Sequence, residues 1–125
     1  MDADALRLFA AAKYVRVTTF RRSGVAVPTP VWHAIDGDTV VIWSTRDAGK
    51  VKRLRNDGRV LLAPCTFKGE PTGPEIEAHG EILDGPGSAT VRRLIARRYG
   101  IVGRLTMLGS RLRRGSTGTL GIRIR

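Results

Sequence analysis

Residues Lys13–Ser44 read KYVRVTTFRRSGVAVPTPVWHAIDGDTVVIWS, and their periodicity decides the architecture. Tyr14, Arg16, Thr18 and Phe20 alternate with Val15, Val17 and Thr19, the period of two of a strand with one apolar face. Arg21-Arg22-Ser23-Gly24 reads as a turn, with Gly24 free to take a positive φ. A second strand is predicted over Val25–Ile35 and a third over Thr39–Ser44, joined by Asp36-Gly37-Asp38. Asp-Gly between two apolar runs is a strong hairpin signal, so the chain opens as an antiparallel sheet. Pro28 and Pro30 lack the N–H that a ladder uses, which puts part of the second strand at an edge or beside a bulge. Such an edge either discourages aggregation or offers a donor-poor surface to a flat ring.

The next stretch, Trp43–Asp57 (WSTRDAGKVKRLRND), is where function is expected. The third strand ends in Ser44 and Thr45, and a helix is predicted to open near Asp47 with Lys50, Lys52, Arg53 and Arg55 in its first turns. The N–H groups at a helix start favour an anion, and hydroxyls and cations around them sharpen that preference. Cations near the positive end of the dipole do not help the helix itself. They are either a solvated basic face or a phosphate grip.

Outward from this centre, Asp4–Ala12 is predicted helical, with Leu6, Phe9 and Ala10 on one face and Asp2 or Asp4 as the cap. RVLLAPCT, residues Arg59–Thr66, is nearly continuous in apolar residues and reads as a strand covered on both faces. KGEPTGP over Lys68–Pro74 is a loop, and Glu75–Leu83 alternates as a half-buried strand with an acidic outer face. Ser88 is predicted to cap a helix running to Tyr99, with Val91, Leu94, Ile95 and Tyr99 on its apolar stripe. Ile101–Arg114 is basic and amphipathic, suited to packing on the fold, on a partner subunit or on a membrane. Gly115-Ser116-Thr117-Gly118 then turns into a last strand, Thr119–Arg125, making six strands in one domain over residues 1–125.

Composition limits the function classes. A chain of 125 residues with 42% hydrophobic residues fits one folded domain. No apolar run is long enough to span a membrane, and MDADALRLFAAAKY carries acids where a signal peptide carries cations. With a single cysteine, Cys65, in the apolar LLAPCTF, an inert buried thiol and a reducing, cytoplasmic setting are expected. His33 and His79 have no second ligand at metal spacing and read as structural or surface residues, so no metal is expected. No GxGxxG, GxxxxGK[ST] or HExxH is present. Net charge is +11, and from Gly85 to the end there are ten arginines and no acid, so a polyanionic partner is expected. A chain without its own nucleophile still serves as a catalyst when a cofactor carries the chemistry.

The ordered set TTFRxxG, PTPVW, GDTVVIWST and GKVKRLRNDGRV, within Phe9–Leu83, resembles the split β-barrel family related to pyridoxamine-phosphate oxidase. The likeness is best to the actinobacterial branch that uses the deazaflavin coenzyme F420. It implies a mainly-β fold with flanking helices, a six-stranded antiparallel split β-barrel of the FMN-binding type. It also implies a homodimer with two cofactor sites at the subunit interface. By position, Ser44, Thr45, Lys50 and Arg53 match the segment that holds the cofactor phosphate, with Lys52 an outlying addition. Val27, Thr29, Pro30 and Val31 match the part of the second strand that lines the ring. Arg53 stands where many relatives carry asparagine, and Ile101–Arg114 departs most from smaller relatives. The implied reaction is hydride transfer from reduced F420 to an electron-poor organic substrate. No acid or base is assigned, and Tyr14 and His33 qualify as proton donors only if they face the ring. Three other readings fit the same residues: an FMN-binding reductase, a cofactor carrier without turnover, and a basic nucleic-acid-binding domain. The last is the least supported, because Tyr99 is the lone aromatic in the arginine-rich C-terminal third.

Overall fold

The computed structural model describes residues 1–100, 105, 109 and 118–125; Leu105 and Gly109 apart, the stretch expected to be amphipathic over Ile101–Arg114 lies outside them. Among the described residues the order is α1 (Ala3–Ala11), β1 (Tyr14–Phe20), β2 (Ala26–Val31), β3 (Ala34–Asp36), β4 (Thr39–Thr45), α2 (Gly49–Asn56), β5 (Arg59–Cys65), β6 (Ile76–Ile82), α3 (Gly85–Arg98) and β7 (Thr119–Ile124). The strands form one antiparallel sheet in the order β2-β1-β5-β6-β7-β4-β3.

Seven strands replace the expected six because Val25–Ile35 is broken at Trp32-His33. The His33 N–H donates to the Tyr99 hydroxyl at 3.1 Å and its carbonyl accepts from Arg98 at 3.2 Å. With both backbone groups taken by side chains, no ladder continues through this residue. The break has a large consequence. β2 and β3 are the two outer edges of the sheet, yet only two residues connect them. Three Cα steps of at most ~3.8 Å force the edges together at that corner, so the sheet curls into a half-barrel.

The inside of the curl holds Val15, Val17, Val40, Ile42, Val60, Leu62, Leu120, Ile122 and Ile124. Two helices add to it: α1 contributes Ala5 and Phe9, and α2 contributes Val51 and Leu54. The α1 stripe is therefore Ala5–Phe9 and not Leu6-Phe9-Ala10, and Asp2 is the cap, its Oδ1 accepting from the Ala5 N–H at 2.7 Å. α3 lies on the outside, setting Val91 and Ile95 against Ala34 and Val41. Covered on both sides, β4 is buried at Val40, Val41 and Ile42. β6 pairs with β5 through His79 and with β7 from Gly80 onward. Gly80 is buried at this hand-over, where a Cβ would stand 3.0 Å from both Leu54 and Val60.

The hairpin predicted at Asp36-Gly37-Asp38 pairs Asp36 with Thr39, and Gly37 takes φ +62° at the first turn position. β2 is an edge strand, as its prolines require. α2 opens at Gly49, two residues after the Asp47 expected.

Ser88 is not the cap of α3. The helix starts earlier, at Gly85, with the Asp84 carboxylate accepting from the Gly87 N–H at 2.8 Å and Pro86 in the first turn. Ser88 instead joins α3 to the sheet, its buried hydroxyl accepting from the Gly121 N–H at 2.8 Å. Gly121 permits this approach, since a Cβ there would sit 2.8 Å from Val91 and 3.0 Å from the Ser88 backbone. Ser88→Ala leaves that buried N–H without its acceptor and is expected to destabilise the fold by on the order of 1.5 kcal/mol, read by denaturant unfolding.

Candidate functional site

The packing of α2 decides what its cations do. Val51 and Leu54 are buried, and this anchoring leaves Lys50 and Arg53 half-buried beside them, while Lys52, Arg55 and Asn56 face solvent. Arg53 reaches β1, where its Nε donates to the Thr19 hydroxyl at 2.7 Å. Its guanidinium lies over Gly49, where a Cβ would come within 2.7 Å of Nη1. Lys50 makes no hydrogen bond or ion pair among the described residues. Burial first, then the Arg53 charge, push the Lys50 amine below its ordinary value. Arg53 is lowered in turn, by burial and by Arg21. The ion pairs among the described residues take up Arg7, Arg16, Arg59, Arg123 and Arg125, and none of the α2 cations.

A recess of about 290 Å³ opens between the β1–β2 turn and α2, lined by Phe20, Arg21, Arg22, Lys52, Arg53 and Asn56. Two of the predicted residues, Lys52 and Arg53, meet there. Arg21 and Arg22 are additional, since by sequence they are only turn residues; the β1–α2 packing brings them to Arg53, and no local pattern signals it.

A second recess, of about 360 Å³, lies at the other end of the β1–β2 ladder. Tyr14, Pro30, Val31, Trp32, Trp43 and Phe67 line it, and Phe67 is 65% exposed. Pro30 and Val31 are thus placed at this apolar wall. Val27, Thr29 and Val31 pair with Thr19, Val17 and Val15, sharing their face of the sheet, and are half-buried. From Val27, beside the Arg53 partner Thr19, to Val31 is about 13 Å at ~3.3 Å per residue. The cationic and apolar recesses therefore mark the two ends of one strand.

Ser44 and Thr45 line neither recess. Ser44 is buried, with its hydroxyl directed at the Thr45 carbonyl at 3.3 Å, and Thr45 pairs with Thr119 of β7. The Thr45 carbonyl also accepts from the Ala48 N–H at 3.1 Å, which turns the chain into α2.

Neither histidine lines either recess. His33 is fully buried, its Nε2 donating to the Phe9 carbonyl at 2.5 Å. The Tyr99 hydroxyl donates to the Lys13 carbonyl at 2.7 Å. Arg98 donates to the carbonyls of His33, Ala10 and Ala12, gathering the end of α1 to the β2–β3 break. Trp32 stacks on Tyr99 with ring centroids 4.4 Å apart. His33 is therefore a structural residue and not a proton donor to a ligand at either recess, whereas Tyr14 does border the apolar one. His79 is exposed on β6, Cys65 is buried, and no metal-holding group of three acidic, histidine or cysteine side chains occurs among the described residues.

Known structures share this fold. The chain superposes on a candidate pyridoxamine 5'-phosphate oxidase from Listeria innocua with a TM-score of 0.68, at 14% identity over 98% of this chain and 90% of that one. An F420 reductase matches with a TM-score of 0.62, at 18% identity over 95% and 90% of the two chains. A heme storage protein from Vibrio cholerae matches with a TM-score of 0.69, at 10% identity over 99% and 88%. The fold is the split barrel of these proteins. No protein-family model matches the sequence, and no curated protein matches it. Among the described residues, no helix is long and apolar enough to cross a membrane.

Proposed function

We propose that this split barrel binds a deazaflavin of the coenzyme F420 type and serves as a reductase, with FMN as the alternative cofactor. The observation that carries the reading is the Lys50–Arg53 pair, half-buried, mutually repelling and without a carboxylate partner among the described residues. A fold leaves cations in that state where an anion compensates them. The fit to a phosphate-bearing flat cofactor extends along β2. Cations stand at one end, an aromatic recess at the other, and the proline-bearing edge between them has few donors to clash with a ring.

Bound there, the reduced deazaflavin supplies a hydride for an electron-poor organic substrate. The chain's part is placement. Lys50 and Arg53 hold the phosphate, with Lys52 at the margin, and the half-buried Val27, Thr29 and Val31 with Pro30 set the ring plane. Tyr14 and the two tryptophans keep water from the apolar end. In this reading a second copy covers the exposed Phe67 and completes the pocket, so the working unit is a cytoplasmic homodimer, and Ser44 and Thr45 support the turn that presents Lys50.

The heme storage neighbour makes heme the second ligand to consider. Against it, neither histidine nor the cysteine borders the apolar recess. Fluorescence titration of the purified protein with F420 and FMN, beside a heme titration read at the Soret band, tests the assignment. Micromolar or tighter F420 binding is expected. Saturable heme binding with no F420 response would overturn it, and F420 binding without turnover on quinones, enones and nitroaromatics would reassign the protein as a carrier.

A further inference from the structure

Trp32 forms part of the wall of the apolar recess, but the sheet does not hold it. The β1–β2 register ends at Val31 and the β3–β4 register begins at Ala34, so Trp32 falls between the two ladders. Its indole is set instead by the stack on Tyr99, with the planes 10° from parallel. A stack that flat fixes the plane of a ring as well as its place. Tyr99 is fixed in turn at its far end, where the hydroxyl accepts from the His33 N–H and donates to the Lys13 carbonyl. His33 follows Trp32 and Lys13 precedes Tyr14, so one phenol ties down the backbone beside two residues that line the recess. Tyr99 does not line that recess itself. It ends α3, its N–H donating to the Ile95 carbonyl at 3.0 Å.

A large wall side chain without a ladder to hold it must be ordered when a ligand enters, unless a neighbour has ordered it beforehand. We propose that Tyr99 is a positioning residue for the apolar recess: its stack on Trp32 preorganises the wall against which a flat ring binds, and couples occupancy of the recess to the last turn of α3. The inference deepens the reading of this recess as the ring end of a cofactor site, and it rests on that reading only in taking a flat ring to enter there.

None of the six lining side chains carries a formal charge, and both tryptophans are among them. Saturable quenching of their fluorescence by menadione, a small uncharged quinone, therefore reads binding in the recess. Tyr99→Leu removes the stack and should weaken menadione binding roughly threefold to tenfold, the scale of ordering one side chain on binding. Tyr99→Phe keeps the ring and loses only the hydroxyl. It should lower the melting temperature, because the His33 N–H loses its acceptor, and yet keep most of the menadione affinity. If Tyr99 were only a strut, affinity would follow stability in both variants. In the unsubstituted chain, menadione saturation should slow amide exchange in the last turn of α3, although no α3 residue lines the recess, since coupling between two sites is reciprocal. Absence of saturable quenching, equal affinity in Tyr99→Leu, affinity tracking stability in both variants, or unchanged exchange at the end of α3 would overturn the inference. F420 binding intact alongside such a result sinks this inference alone. No F420 binding, with the menadione responses as expected, sinks the cofactor reading and leaves the role of Tyr99 standing.

Discussion

If the chain binds F420 as proposed, Lys50→Ala is expected to weaken that binding by about 1.5–3 kcal/mol, roughly 10- to 150-fold, the range for losing a hydrogen bond to a charged group in a partly desolvated site. The expected loss is large because Lys50 is half-buried and pairs with no acid among the described residues, so in the proposed complex the phosphate would be its first counter-charge. Arg53→Ala should cost less than this. Its Nε is already engaged with the Thr19 hydroxyl, which leaves only the terminal nitrogens for the ligand. The Arg53 charge lies close enough to lower the Lys50 amine, so the double substitution should lose less than the sum of the single ones. Fluorescence titration at fixed ionic strength reads all three. An unchanged dissociation constant for Lys50→Ala would remove the basis of the phosphate assignment.

The same residue should behave oppositely in unfolding. Its amine is held below its ordinary value of 10.5 by burial and by Arg53, so the folded state binds that proton less readily than the unfolded one. The resulting penalty is fully present below the folded pKa and fades as pH rises toward the unfolded value. Lys50→Met, which keeps the aliphatic stem, should therefore raise the melting temperature at neutral pH while lowering cofactor affinity. A group that destabilises the empty fold and strengthens ligand binding is what separates a binding cation from a solvated one.

The second large effect is a loss of stability in mild acid that belongs to His33. Buried against the Phe9 carbonyl, the imidazole has its pKa lowered from 6.5 to about 4, chiefly by burial, with the nearby Arg98 charge adding to the effect and the Phe9 hydrogen bond opposing it. Tyr99 is the other titratable group beside it, and its phenol is pushed up by burial. As pH falls, the unfolded chain takes up the His33 proton first. The contribution of the neutral ring is complete above pH 6.5 and is lost between there and about pH 4, with a total of about 3 kcal/mol at ~1.4 kcal/mol per pH unit. Denaturant melts across this window, compared with His33→Gln, isolate the effect. The variant keeps an amide donor for the Phe9 carbonyl and cannot titrate, so its stability should fall less steeply; parallel curves would show that His33 is not the acid-sensitive group.

Local pattern was enough to place six of the seven strands and the three described helices to within a few residues, the hairpin at Gly37 and the edge position of the proline strand, to narrow the α1 cap to Asp2 or Asp4, and to expect Cys65 in an apolar setting. Each of these depends on residues within a few positions of one another. Side-chain period, an absent N–H and a permitted positive φ act over that range. Three features were outside its reach. Val25–Ile35 looks continuous by composition, and only Tyr99 and Arg98, more than sixty residues later, take its backbone groups at His33 and break it. Ser88 has the composition of a cap, but Asp84 starts the helix one turn earlier and frees the hydroxyl for Gly121. Arg21 and Arg22 read as a solvated turn until α2 packs on β1 and sets them around one recess with Arg53. The sequence by itself determined which residues carry charge, which face of β1 and of β6 is apolar and the hairpin turn at Gly37, because those follow from local chemistry. The tertiary structure decided which distant cations share a cavity and which polar groups are already engaged, because burial and proximity arise only when the sheet curls and its two edges meet.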